Sequence, residues 1–435
     1  MAIPTVDAVS STAAKVRRPA APVLLWNAGL TLQWFMFVVS GSLSFIVVAA
    51  SLLALHGPAR TRFTTSVLVV LALVTLAQVC LGHRLPLFEG PSTPYLAMLV
   101  VLTQTTAAPS VLQGRLLTAL VIAGLVIAGV AWTAGWWLAR LFTPYVVGSF
   151  LFLLGLTLLL RLAPQALGNT ATRAFVPADL YALAAVLVVA ISIHLFAPGR
   201  LQALVFLACY AAGLAVYLLA GGGIVLSGPS SPFVLPTAGA LMPPDPGLTL
   251  LVILTMAIPL VNVYASIEAV AAAMPRPHPV NLRASTALYG LSQVLAGSLG
   301  AIGTVPRSES AGLVAAGGGS NRAPLITAAI LLVLVAICAP AVSVLASFPV
   351  SVATDVLVVA VAFVTLIAIR TYRRLAWSRR RQVLTALAGL LCLAGSTLLP
   401  NLGIVGVFLT NPILPGTILA IAIDQFERRA PRRAR

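Results

Sequence analysis

The chain has 435 residues, of which 60% are hydrophobic and only 8% charged, and its formal net charge is +17. A soluble globular chain carries about 25% charged residues, so a water-soluble globule is excluded. A mean hydropathy of +1.06 is instead that of a polytopic membrane protein. The positive charge does not point to nucleic acid, because the arginines sit between apolar stretches, where they set topology and meet lipid headgroups. The four cysteines (Cys80, Cys209, Cys338, Cys392) lie singly in apolar stretches without CxxC spacing. Neither a disulfide framework nor a metal site is indicated, and no cofactor is expected.

Residues 1–23 are polar and then basic, with no short apolar core followed by a cleavage site, and they read as a cytoplasmic N-terminal tail. A spanning helix needs about 20 apolar residues. Hydropathy and helix breakers predict fourteen spans, near 24–46, 64–82, 94–108, 116–138, 142–160, 177–195, 200–221, 248–274, 284–302, 308–318, 324–346, 349–369, 383–399 and 403–423. The third and tenth are short and start in Gly, Pro and Ser: EGPSTPY before one, GTVPRSESAG before the other. Interrupted segments at matching places in two halves are the sign of inverted repeats around a midplane site. The expected division is a first repeat at 24–240 (spans 1–7), a second at 241–424 (spans 8–14), and a basic cytoplasmic tail at 425–435.

Arginine placement supports the even count. The two tails and the loops after even-numbered spans hold twenty Lys or Arg, and the loops after odd-numbered spans hold six. Both termini are therefore expected in the cytoplasm. The glycine stripe Gly297, Gly300, Gly303 reads as helix packing. Gly317 to Gly319 marks the end of the tenth span.

Glu268 is the sharpest single residue. It carries the only charge between Leu248 and Met274, and a carboxylate at membrane depth costs roughly 3 kcal/mol or more. Such a residue is expected to be buried against a cavity and to handle an ion, a proton or a polar substrate. Of the nine acids, Glu309 and Asp355 are the other candidates for buried carboxylates, Asp355 with a structural or gate role. Arg307 lies two residues before Glu309, on the same side of an extended piece. It either neutralises Glu309 or binds an anionic substrate. Gln33, Ser308, Ser92, Thr93 and Tyr95 are further candidates for substrate contact.

Several stretches resemble, in order, the nucleobase/ascorbate transporter family of uracil and xanthine permeases. They are LTLQWFMF (Leu30 to Phe37), HRLPLFEGPSTPYLAM (His83 to Met98), FTPYVVGSFLFLLGLTL (Phe142 to Leu158), SPFVLPTAG (Ser231 to Gly239) and LAGSLGAIGTVPRSESAGLVAAGGGSNR (Leu295 to Arg322). The resemblance implies an all-α membrane protein of fourteen spans in two inverted seven-span repeats, with core and gate domains. It implies a substrate held between short strands that start spans 3 and 10. The family's substrate-binding acids fall on Glu268 and Glu309, and dimerisation through the gate domain is also implied. The chain departs from the family pattern at Trp34 and Ala269, where histidines are common.

A nucleobase offers adjacent N–H donors and C=O acceptors, so a carboxylate can take two parallel charge-assisted hydrogen bonds. Backbone N–H groups at the broken helix starts can donate to the base's carbonyls. A buried carboxylate at Glu268 could also exchange a proton, coupling substrate to proton uptake. The expected function is secondary active transport of a nucleobase-like heterocycle (uracil, xanthine or a related purine) by alternating access, coupled to a cation, the proton being preferred. The alternative is an anion transporter, of sulfate or carboxylate type, on the same fold. A membrane-embedded enzyme is not expected, because scattered acids without a DxxD pair cannot hold a metal-bound diphosphate.

Overall fold

The computed structural model describes residues 20–103, 109–139, 143–166, 176–198, 202, 204–224, 231–257, 259–274, 279–316, 321–346, 348–373 and 413–429. Nearly all of them are helical. The first half holds α1 (Ala20–Leu52), α2 (Gly57–Cys80), the strand β1 (Glu89–Pro91), α3 (Thr93–Leu102), α4 (Pro109–Ala139), α5 (Pro144–Ala166), α6 (Pro177–Phe196) and α7 (Val205–Leu219). The second holds α8 (Pro246–Ala257), α9 (Pro259–Ala273), α10 (Leu282–Ser298), the strand β2 (Thr304–Pro306), α11 (Ser310–Ala315), α12 (Ala323–Ile337), α13 (Ala339–Ala346), α14 (Val350–Arg373) and α15 (Ile413–Arg429). Proline opens many of these helices, where its fixed φ suits the first turn and its missing N–H costs nothing.

Among the described residues, six segments are long and apolar enough to cross a membrane: 25–52, 57–80, 109–133, 177–196, 246–273 and 351–373. Shorter apolar helices lie at 144–159, 205–219 and 323–337. Each of the first twelve expected span positions holds helix. The thirteenth, 383–399, lies outside the described residues, as do 403–412 of the fourteenth, residues 317–319, most of the N-terminal tail and residues 430–435.

The structure corrects three expectations. The eleventh span divides into α12 and α13 at Cys338, whose backbone bridges to Phe233, with Pro340 just beyond. Proline lacks the N–H for the helix ladder and its ring meets the carbonyl four residues back. The glycine stripe is not one helical face: Gly297 is helical, Gly300 turns the chain after α10 with φ +65, and Gly303 precedes β2. Finally, helix extends into both expected tails, α1 beginning at Ala20 and α15 running to Arg429.

Close packing of α4 on α10 is made by glycine. A Cβ added at Gly297 would lie 2.6 Å from the Leu117 carbonyl oxygen. One at Gly290 would lie 2.7 Å from the Gly124 carbonyl oxygen and would strike the Ala128 nitrogen. Backbone cannot retreat as a flexible side chain can. Gly290→Ala is therefore expected to destabilise the fold by roughly 1–3 kcal/mol, read as a lower thermal unfolding midpoint in detergent. An unchanged midpoint would show that this crossing tolerates a methyl group.

The feature that positions the site is a two-stranded antiparallel ribbon. β1 and β2 pair with the register Glu89↔Pro306, Gly90↔Val305 and Pro91↔Thr304. The ribbon is extended at one end by Ser92 N–H to Gly303 O (2.8 Å) and at the other by Arg307 N–H to Phe88 O (3.0 Å). Each strand runs directly into a short helix, α3 or α11, so the expected strand starts of the third and tenth spans are present and paired with one another.

Candidate substrate site at the paired strands

Arg307 and Glu309 sit where β2 turns into α11. The Arg307 Nη2 donates to Glu309 Oε1 at 2.9 Å, and the two side chains are 6% and 5% exposed. The pairing does not come from an extended backbone, as the spacing suggested. The strand ends at Pro306, and Glu309 already has helical φ −60 and ψ −21, so a turn through Ser308 brings the charges together. Gly90 makes room for the arginine: a Cβ there would lie 2.7 Å from Arg307 Cγ and Cδ. The guanidinium carbon stands 5.2 Å from the centroid of the Phe45 ring, a cation–π arrangement, while Nε has no acceptor among the described residues.

Ser308 turns to α9. Its hydroxyl lies 2.6 Å from the Ser266 hydroxyl and donates to Asn262 Oδ1 at 3.2 Å. Asn262 Nδ2 and the Ser266 hydroxyl in turn donate to the Pro306 carbonyl, at 2.8 and 3.3 Å. Asn262 and Ser266 are four residues apart, hence on one helix face. They hold the end of β2 by its backbone oxygen.

Beside the ribbon is a cavity of about 250 Å³ between α1, α3, α5, α13 and α14, with Phe45, Thr93, Ser40 and Thr354 among otherwise mainly apolar walls. An apolar cavity of about 150 Å³ holds benzene, so this one has room for a one- or two-ring heterocycle. Thr93 is thus at the cavity, half-buried at the start of α3. Tyr95 is buried, its N–H donating to Ser92 Oγ at 3.4 Å, and its ring lies against Gly303.

The other sequence candidates are placed differently. Gln33 is fully buried, and its Oε1 accepts the Leu207 N–H at 3.2 Å, which ties α1 to the start of α7. Glu268 is exposed, so the expectation that it is buried is corrected. It follows Ser266 by two residues, about 200° around a helix of 3.6 residues per turn. Its side chain therefore leaves α9 away from the Ser308 cluster. Asp355 is fully buried on α14, with neither oxygen partnered among the described residues.

Sequence reasoning did not single out Asn262, Phe45 or Glu89. Asn262 could have been found from its i, i+4 spacing to Ser266 in an otherwise apolar span. Phe45 carries no such signal, since its role depends on a contact with a residue far along the chain. Trp34 is also buried, with an indole N–H that has no acceptor among the described residues.

Two broken spans joined by a buried antiparallel ribbon, with a polar cluster and a cavity beside it, define a membrane transporter of the discontinuous-helix type. A family model, Xan_ur_permease, described as "Permease family", matches residues 28–400. The chain belongs to that xanthine/uracil permease family. It is 25% identical over 417 residues to "Putative purine permease YwdJ" of Bacillus subtilis (strain 168), covering 91% of this chain and 94% of that one.

Solved structures share the fold at low identity. The transmembrane domain of the cyanobacterial bicarbonate transporter BicA has a TM-score of 0.53 at 14% identity, covering 92% of this chain and 97% of that one. The murine Slc26a9 anion transporter in its inward-facing state has a TM-score of 0.59 at 13% identity, covering 95% of this chain and 69% of that one. The chain shares the fold of these transmembrane domains.

Proposed function

We propose that the protein is a secondary active transporter of a nucleobase-like heterocycle, uracil, xanthine or a related purine, working by alternating access with proton coupling. The observation that carries this reading is the buried Glu309, Arg307 and Ser308 constellation at the ribbon beside a cavity of heterocycle size. A base entering between the strand ends would offer N–H groups to Glu309 and meet the hydroxyls of Ser308 and Thr93. Tyr95 would support it from α3, and Gln33 would act from α1 by holding α7. Glu268, exposed on α9, would accept and release the coupled proton and contribute a second carboxylate when the base is bound. Membership of the permease family supports the same class of substrate.

The fold in this reading is fourteen spans in two inverted repeats, 24–240 and 241–424, divided into core and gate domains, with dimerisation through the gate. The protein lies in the cell membrane with both termini in the cytoplasm. Cysteine labelling of an introduced residue near 435 should be blocked from outside intact cells and allowed after permeabilisation. Labelling from outside would overturn the even span count.

A second reading has one observation in its favour. Arg307 is buried at the site with its Nε unpaired, which suits a substrate bearing negative charge. Uptake of labelled purines, pyrimidines, urate, sulfate and bicarbonate by transporter-deficient cells separates the two. Uptake of a base competed by other bases supports the first reading. Uptake of the inorganic anions alone refutes it.

A further inference from the structure

Glu89 opens β1 and is fully buried, and neither carboxylate oxygen has a hydrogen-bond partner among the described residues. Its backbone is committed: the N–H donates to Thr75 Oγ1 at 3.0 Å, and the residue pairs with Pro306 across the ribbon. Side chains alternate along a strand, so Glu89 leaves the ribbon on the face opposite Gly90. Arg307 lies over Gly90 and is spent on Glu309, so it cannot neutralise Glu89.

Several polar side chains on the elements around Glu89 are committed to other partners. Gln293 Nε2 donates to Thr304 O at 2.9 Å, Thr304 Oγ1 to Ser292 Oγ at 2.8 Å, Tyr289 OH to Met256 O at 2.8 Å, and Gln78 Nε2 to Ser285 O at 3.0 Å. The titratable groups on the packing elements are few. α1 has none, α2 has Arg60, Arg62 and Cys80 at its ends, α10 has Tyr289 facing Glu89 and Arg283 at its start, and His83 is buried in the connection before β1. Arg283 stands over Trp132 at 5.9 Å, and the His83 Nδ1 accepts the Leu85 N–H at 3.1 Å. An ionised carboxylate in such a place would have neither a counter-charge nor a hydrogen bond among the described residues, and buried charges are not sustained in that state.

We propose that Glu89 is a second proton-binding site, holding its proton in the described conformation and exchanging it when the ribbon face opens to water. The O–H bond of the carboxylic acid breaks, the proton passes to an entering water molecule, and the reverse step reloads Glu89 from the other side of the membrane. Because β1 leads straight into Ser92 and Thr93, the charge that appears on Glu89 is felt at the head of α3. This rests on the reading of the protein as a proton-coupled transporter.

Infrared spectra of the purified protein in lipid nanodiscs test it without any substrate. The parent and Glu268→Gln should show the carbonyl stretch of a protonated, buried carboxyl group at neutral pH. Glu89→Gln, an isostere of the neutral acid, should fold and lose the Glu89 share of that absorption, leaving only what the buried Asp355 contributes. Glu89→Asp, should the glutamine variant fail to fold, should shift the band rather than leave it in place. A band of the same position and size in the parent and the Glu89 variants would overturn the proposal. In proteoliposomes, accumulation of a base under a pH gradient should fall in Glu89→Gln to simple equilibration. If no base is carried by the parent, the substrate reading fails while the infrared band stays. If Glu89→Gln accumulates a base as the parent does, this inference fails while the substrate reading stands.

Discussion

Arg307→Ala is expected to destabilise the folded protein by about 3–5 kcal/mol, the usual cost of leaving one partner of a buried ion pair unpaired. Both side chains are nearly inaccessible, so water cannot take over the hydrogen bond that Glu309 loses. The truncation also empties the space beside Gly90 and removes the guanidinium from Phe45. Arg307→Ala combined with Glu309→Gln should recover a large part of the loss, because no net charge is then stranded. Thermal unfolding of the purified variants in detergent measures both. A double variant no more stable than Arg307→Ala would mean that packing against Phe45 and Gly90, not charge neutralisation, is what Arg307 supplies. Full stability of Arg307→Ala would leave anion binding as its remaining role.

Glu268→Gln should act in the opposite way, on binding and coupling rather than on folding. The side chain is exposed, so exchanging carboxylate for amide should leave yield and unfolding midpoint unchanged. If Glu268 accepts hydrogen bonds from the base, losing the charge-assisted component weakens binding by about 1.5–3 kcal/mol, or roughly ten- to a hundred-fold. Accumulation under an imposed pH gradient should fall further, because the exchangeable proton is gone. Isothermal titration with the transported base and uptake into proteoliposomes read the two effects separately. Parent-like affinity and accumulation would remove Glu268 from the site.

The fold was legible where the signal is local. Apolar length and breakers placed helix at each of the first twelve expected span positions, and the Gly, Pro and Ser runs before Thr93 and Ser310 marked the two interrupted spans, the strands themselves being implied by the family resemblance. The proline signal at Pro340 was read too leniently: it stands just past a break at Cys338, in a span that hydropathy reads as continuous. The site was less legible because its contacts join distant segments. Glu309 and Ser308 sit at the ribbon as expected, and Arg307 pairs with Glu309, one of the two roles its spacing allowed.

Glu268 shows the limit of an argument from isolation. A lone acid in an apolar stretch says that its burial would be costly, and it says nothing of which face of the helix it occupies. The helical period answers that once Asn262 and Ser266 are known to face β2. Glu89 shows the converse. Its stretch reads as a loop rich in Gly and Pro, and only the pairing with Pro306 turns that loop into a buried strand. Gln33 was open between packing and substrate contact, and its bond to Leu207 gives it a packing role in this conformation.

The most direct test of the central claim is accumulation of a labelled base by the purified parent protein in proteoliposomes under an inwardly directed proton gradient. The account predicts that at least one of uracil, xanthine or a related purine rises above its external concentration and runs down when a protonophore is added. Accumulation of sulfate or bicarbonate with no base carried, under the same gradient, would contradict it.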